Sequence, residues 1–173
     1  MDANWRGTDV AFERVGAART GEVLEVLDEA AGWLGGQGIS QWPPRFEEAW
    51  IGEAVARGET WLVRADGRVA GTVTVDWADR LWADLGGTAA YVHRLAVRRW
   101  ASGLGAVVLD WAAGQAAERQ AEFLRLDCVS HNPRLRAYYR SRGFEHRGDV
   151  EGSWTPTVLL SRYERRVPGA LPV

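Results

Sequence analysis

The chain has no lysine, and all 21 of its basic residues are arginine. That absence excludes Schiff-base chemistry, a pyridoxal-phosphate anchor and the lysine of a Walker A phosphate loop. Cysteine occurs once, as Cys128, and histidine three times, as His93, His131 and His146. These are too few for a zinc ribbon or finger, and no metal is expected. A single thiol fits a reducing compartment, with Cys128 buried and inert. No apolar run approaches the roughly eighteen residues of a membrane span, and Met1-Asp2-Ala3-Asn4-Trp5 lacks the basic and apolar parts of a secretory leader. A cytoplasmic protein without membrane contact is the expectation.

What is present is the composition of one globular domain, with 173 residues, 46% hydrophobic and 25% charged. Residues 1–166 are expected to form that domain and 167–173 a flexible tail, since Val167-Pro168-Gly169-Ala170 reads as loose chain. At this length roughly 70% of the unfolded surface can be buried, so packing alone can hold the fold. The net charge of −2 argues against nucleic-acid binding. It conceals a split, however: residues 22–84 sum to −7 and residues 85–173 to +5.

Hydrophobic periodicity orders the chain as βααβββαβαββ. A strand at 10–15 precedes a helix at 20–33, stopped by Gly35-Gly36, and a second helix at 45–57 with Phe46, Ala49, Trp50 and Ala54 on one side. Strands at 60–64 and 68–77 are joined by Asp66-Gly67, a hairpin signal. A strand at 89–97 and a helix at 104–117 follow, then a strand at 123–129, a helix at 133–141, and a closing pair at 144–150 and 157–163.

Two segments carry chemistry. Behind Leu95-Ala96-Val97, the sequence Gly103-Leu104-Gly105 opens a helix, where unpaired backbone N–H groups and the positive end of the helix dipole suit a phosphate. A plain strand-to-helix turn reads the same way. The second segment runs from Asn132 to Phe144. Asn132 suits an N-cap, Pro133 the first helical position and Gly143 the C-terminal stop. Those structural roles leave Tyr138-Tyr139 unexplained, and Tyr139, seven residues past the cap, lies two turns on along the cap's own side.

The spacing of Asn132, Tyr139 and Gly143-Phe144 behind strand 123–129 resembles the final coenzyme segment of the GCN5-related N-acetyltransferase (GNAT) family. Leu95-Ala96-Val97 with Gly103-Leu104-Gly105 is similar to its other signature, and the likeness spans about residues 8–164. It implies an α/β fold with a mixed, mostly antiparallel sheet of six to seven strands, about four helices, and a splay between the fourth and fifth strands, 89–97 and 123–129. One departure stands out: the family has Arg or Gln three residues before the first Gly, and this chain has Trp100. Arg98 and Arg99 are the expected replacements for that charge.

The resemblance implies transfer of an acetyl group from the co-substrate acetyl-CoA to a primary amine by direct attack in a ternary complex. Pantetheine would lie along Leu95, Ala96 and Val97, and the diphosphate against Arg98, Arg99, Ala101, Ser102, Gly103, Leu104, Gly105 and Ala106. Asn132 would reach the pantetheine amides or only cap its helix. Tyr139 would protonate the departing thiolate, and a buried packing role is its alternative. For the base that deprotonates the ammonium, Asp127 comes first, His93 second and Asp76 third. Among ten tryptophans, Trp42, Trp77 and Trp82, with Asp76, are expected to wall the acceptor pocket, and Trp50 to pack. The acidic middle, with Glu47, Glu48, Asp79 and Asp84, suits a cationic amine, while Arg64, Arg80 and Arg94 would suit a carboxylate-bearing one. The expected acceptor is a small molecule. The alternatives are a protein or peptide N-terminus and a non-catalytic acyl-CoA sensor. A homodimer is common in the family.

Overall fold

A computed structural model describes residues 3–152 and 155–169. Among them the order is β1 (Ala3–Trp5), β2 (Thr8–Arg14), α1 (Thr20–Gly36), α2 (Ala49–Ala56), β3 (Thr60–Ala65), β4 (Arg68–Asp76), β5 (Ala89–Val97), α3 (Leu104–Glu118), β6 (Phe123–Val129), α4 (Pro133–Ser141), β7 (Glu145–Gly152) and β8 (Thr155–Arg166). The strands hydrogen-bond in the order β1-β2-β3-β4-β5-β6-β8-β7. The mixed α/β sheet and the four helices agree with expectation. The strand count is eight rather than six or seven, because β1, three residues long, is too short to show alternation. No described helix is long and apolar enough to cross a membrane.

The chain forms two compact units. The first holds residues up to Val75 together with His93–Trp111. In it β1, β2, β3 and β4 pair antiparallel in sequence order. The hairpin turn Asp66-Gly67 has φ of +53° and +67°, the mirror-image turn that its sequence predicts. Val23, Val26, Leu27 and Ala31 of α1 bury against Leu62, Ile51, Val55 and Ala96.

Two helix boundaries differ from the sequence reading. Gly35-Gly36 lies inside α1; the helix stops where Gly38 takes φ +73°, with its N–H on the Gly35 carbonyl and that of Ile39 on the Leu34 carbonyl. Helix α2 begins at Ala49 because the preceding loop is tied down, the Phe46 N–H donating to Asp28 Oδ1 at 2.8 Å. The late start changes the buried stripe to Ile51, Ala54 and Val55, and Trp50 comes out 44% exposed rather than packed.

The second unit holds Asp76–Val92 and the chain from Ala112 on. Here β6 pairs antiparallel with β8 along its whole length, and β8 with β7. The pair β5–β6 is parallel, which requires a crossover connection, and α3 lies in it. Val167, at the start of the expected tail, is buried and donates its N–H to the Glu122 carbonyl at 2.9 Å. Residues 170–173 of that tail lie outside the described residues.

Candidate active site

The parallel register runs from Ala89↔Phe123 to Val92↔Leu126. Strand β5 continues to Val97, while Asp127, Cys128 and Val129 of β6 stay bonded to Arg162, Ser161 and Leu160 of β8. His93 and Asp127 are therefore the residues that follow the last bonded couple on their respective strands. Two residues past that couple, Arg94 has φ +49°. A non-glycine residue in the left-handed region inside a strand marks a local break in the extended backbone. Sequence reading offers no sign of it, since nothing in Tyr91–Val97 predicts a left-handed arginine. Within the first unit the Arg94 guanidinium donates to the Trp50 carbonyl at 2.9 Å, which ties the start of α2 to this stretch of β5.

In the second unit Tyr139 is set by the ends of α4. Asn132, 4% exposed, caps the helix: its Oδ1 accepts from the Leu135 N–H at 3.1 Å. At the far end Gly143 takes φ +80°, the Gly143 N–H reaches the Arg140 carbonyl, and the Phe144 N–H reaches the Tyr139 carbonyl at 3.1 Å. This closure brings the residue after the glycine onto the residue at the third position from the helix end. The Phe144 and Tyr139 rings accordingly meet edge to face at 5.9 Å. Tyr138 and Tyr163 stand 5.6 and 5.8 Å from the same ring. The spacing from Asn132 to Gly143-Phe144 thus has a mechanical purpose: it fixes one half-buried phenol.

Burial pushes the Tyr139 hydroxyl well above the usual phenol range, and the neighbouring Cys128, Asp127 and Tyr138 push it further. The phenol keeps its proton at neutral pH. Cys128 is buried, and its thiol is pushed up to about 12 by burial first and Asp127 second, so it is no nucleophile here. The half-buried Asp127 and Asp79 present carboxylate oxygens within 4.8 Å of each other. Asp79 also accepts from the Leu81 N–H at 2.8 Å, which begins the short helical turn Arg80–Trp82.

The expected phosphate turn lies in the first unit. The Arg98 N–H bonds the Ala70 carbonyl at 2.8 Å, Ala101 and Leu104 are fully buried anchors, and Ser102 and Gly103 are exposed. Gly103 takes φ +95°, which admits no ordinary side chain. In the first turn of α3 the Ala106 N–H reaches the Gly103 carbonyl at 3.4 Å, while those of Leu104 and Gly105 have no acceptor within the helix. A diphosphate fits this arrangement. Of the expected replacement charges, Arg98 is committed to α1, bonding Glu29 at 2.5 Å and Glu25 at 3.4 Å. The Arg99 N–H bonds Glu29 at 3.0 Å and its guanidinium lies 4.0 Å over the Trp33 ring.

The four expected acceptor residues part company. Trp82 is 1% exposed and sits in a core cluster with Ala89 and Tyr91, so it is no pocket wall. The half-buried Trp77 ring lies 4.0 Å beneath the Arg119 guanidinium, and Asp76, also half-buried, ends β4. Trp42 begins an edge-to-face row with Phe46 and Trp50, at 5.5 and 6.1 Å between successive rings. Among the possible charge partners for an acceptor, Arg64 is taken by Glu13 at 2.9 Å and Asp84 by Arg162.

Residues 24–144 match the model of the acetyltransferase (GNAT) family. The chain is 34% identical over 142 residues to an uncharacterized N-acetyltransferase of Bacillus subtilis, YesJ, covering 75% of this chain and 79% of that protein. Its fold is similar to that of a GNAT-family acetyltransferase from Listeria monocytogenes (TM-score 0.80, 24% identity, 96% and 99% of the two chains). A GNAT-family acetyltransferase from Streptococcus agalactiae has the fold as well (TM-score 0.74, 15% identity, 95% and 98%). On the family match and the bacterial relative together, this chain belongs to the GNAT acetyltransferase family and is an acyltransferase.

Proposed function

We propose that the protein transfers an acetyl group from acetyl-CoA to a primary amine of a small cationic molecule, by direct attack with both substrates bound. The coenzyme supplies the activated thioester carbonyl. The observation that carries the reading is the setting of Tyr139, a half-buried phenol held protonated next to Asp127. In the reaction the amine nitrogen bonds the acetyl carbon and the carbon–sulfur bond breaks. Asp127 first takes a proton from the bound ammonium so that the free amine can attack, Tyr139 gives its proton to the departing sulfur, and the second proton shed by the nitrogen returns to the phenolate. His93, next after the last bonded couple, is the second choice of base. The Leu95–Val97 backbone offers an edge along which pantetheine can add as a strand.

The cationic acceptor follows from charge. Two carboxylates within 4.8 Å, Asp79 and Asp127, attract an ammonium. In the first unit the exposed Trp50 stands with the exposed Glu47 and Glu48 just before α2, a combination that favours a cation over a carboxylate. Arg64, the expected counter-charge for an acidic acceptor, is already satisfied by Glu13.

Free-thiol release from acetyl-CoA, followed over a panel of mono- and polyamines and short peptides, tests the reading. Polyamines should turn over fastest; faster turnover of peptide N-termini would replace the small-molecule acceptor. Tyr139→Phe should lower kcat about a hundredfold or more with coenzyme affinity within about twofold. Equal loss of both would assign the ring to packing. Asp127→Asn should remove the acidic limb of the pH–rate profile, and an unaltered limb would move the base to His93 or water.

A further inference from the structure

The turn before α3 has lost the polar side chain of the family pattern; of its two neighbouring arginines, Arg98 pairs with Glu29 and Glu25 of α1 and the Arg99 guanidinium lies over the Trp33 ring. Trp100, in the vacated position, lies 4.3 Å beneath the Arg68 guanidinium and edge-on to Trp5 at 6.2 Å. Trp5 ends β1, and the two-residue turn after it, Arg6-Gly7, has φ of +52° and +82°. Asn4 Oδ1 accepts the Gly7 N–H at 2.9 Å and stiffens the turn. From it the Arg6 guanidinium, 5.0 Å over the Trp5 ring, crosses to the phosphate turn and donates Nη2 to the Ser102 carbonyl at 3.2 Å. The same Nη2 is 3.9 Å from where a Cβ on Gly103 would stand. One donor of the five is used there, and among the described residues no carboxylate neutralises Arg6. A guanidinium fork matches phosphate geometry better than a flexible ammonium does.

We propose that Arg6 is a coenzyme-binding residue that clamps the diphosphate at the entry of α3, and so restores from the first hairpin the charge missing at position 100. This inference rests on the acetyl-CoA reading above. Neither the spacing around Gly103 nor the family signature points to it, because the residue lies 96 positions upstream of the carbonyl it touches.

Calorimetric titration of the whole protein, wild type and Arg6→Ala, with CoA, 3′-dephospho-CoA and acetylpantetheine tests it. Arg6→Ala should bind CoA and 3′-dephospho-CoA about tenfold more weakly, equivalent to about 1.4 kcal/mol, with a shallower salt dependence and unchanged affinity for acetylpantetheine, which has no diphosphate. Arg6→Lys should recover part of the loss. CoA affinity within twofold of wild type would overturn the proposal, as would an equal loss with acetylpantetheine or a loss confined to CoA, which alone carries the 3′-phosphate. Failure of the wild type to bind CoA would instead overturn the acetyl-CoA reading.

Discussion

Residues 41–50 and 77–88 each carry a pair of tryptophans and scattered acids, and composition alone does not tell which pair is buried. In the structure they are opposites. The later loop is bolted down from beneath. Arg125, 1% exposed, donates to Glu164 at 2.7 Å, to the Tyr91 hydroxyl at 3.3 Å and to the Gly86 carbonyl. Arg162 holds the Leu81 carbonyl at 2.8 Å and both oxygens of Asp84. The Trp82 ring lies among them, 5.0 and 5.3 Å from the two guanidinium carbons. The earlier loop is held by Asp28 at Phe46 and by Arg94 at Trp50, and its last tryptophan faces solvent. An aromatic residue in a loop is therefore a weak sign of a site. What separates the two cases is whether buried donors satisfy the carbonyls around it.

The largest effect expected from this contrast belongs to Trp82→Ala. Removing a ring 1% exposed should cost about 3–5 kcal/mol of stability, read by urea unfolding. A loss under about 1 kcal/mol with a raised acceptor KM would return Trp82 to the pocket wall. Trp50→Ala should do the reverse. Stability should hold within about 1 kcal/mol, while the KM of a cationic amine rises about three- to tenfold, the range of a cation–aromatic contact. No change in KM would remove the Trp42–Trp50 row from the acceptor site. The smallest effect is at Asp84. The Arg162 guanidinium holds this carboxyl below its usual value. Its contribution is therefore present above the unfolded pKa of about 3.9 and lost as pH falls through the lower folded value. Asp84→Asn should lower stability slightly at pH 7 and flatten the fall in stability below about pH 4. An unchanged acid transition would show that the pair is not coupled to folding.

The parts of the fold with strong local signals were legible. Strands 89–97 and 123–129 and the helix at 133–141 match β5, β6 and α4 to the residue, because short apolar-rich runs, a capping Asn-Pro and a terminal Gly are local signals. Helix α2 was not. Its start is set by Asp28, eighteen residues upstream of Phe46, and no local periodicity shows a hydrogen bond that distant in sequence. Trp82 was misjudged for a related reason: the groups that bury it, Arg125 and Arg162, come from distant strands, and a charged residue on a strand gives no hint that it points inward. Of the candidate site, the cap made by Asn132 and the place of the Tyr139 ring behind it were legible through spacing. Arg94's left-handed turn and Arg6's reach to Ser102 were not, since both depend on tertiary placement.

The two guanidinium groups that pin residues 77–88 carry a chemical consequence. Under the acetyl-CoA reading proposed above, a lysine in either place would meet an activated thioester, and acylation of its amine would remove its charge and its ion pair. Guanidinium holds its proton at any physiological pH and is a poor nucleophile in that form. With Arg125 and Arg162 in these places, and no lysine anywhere in the chain, the scaffold beneath this loop is built from groups that such a thioester would leave untouched.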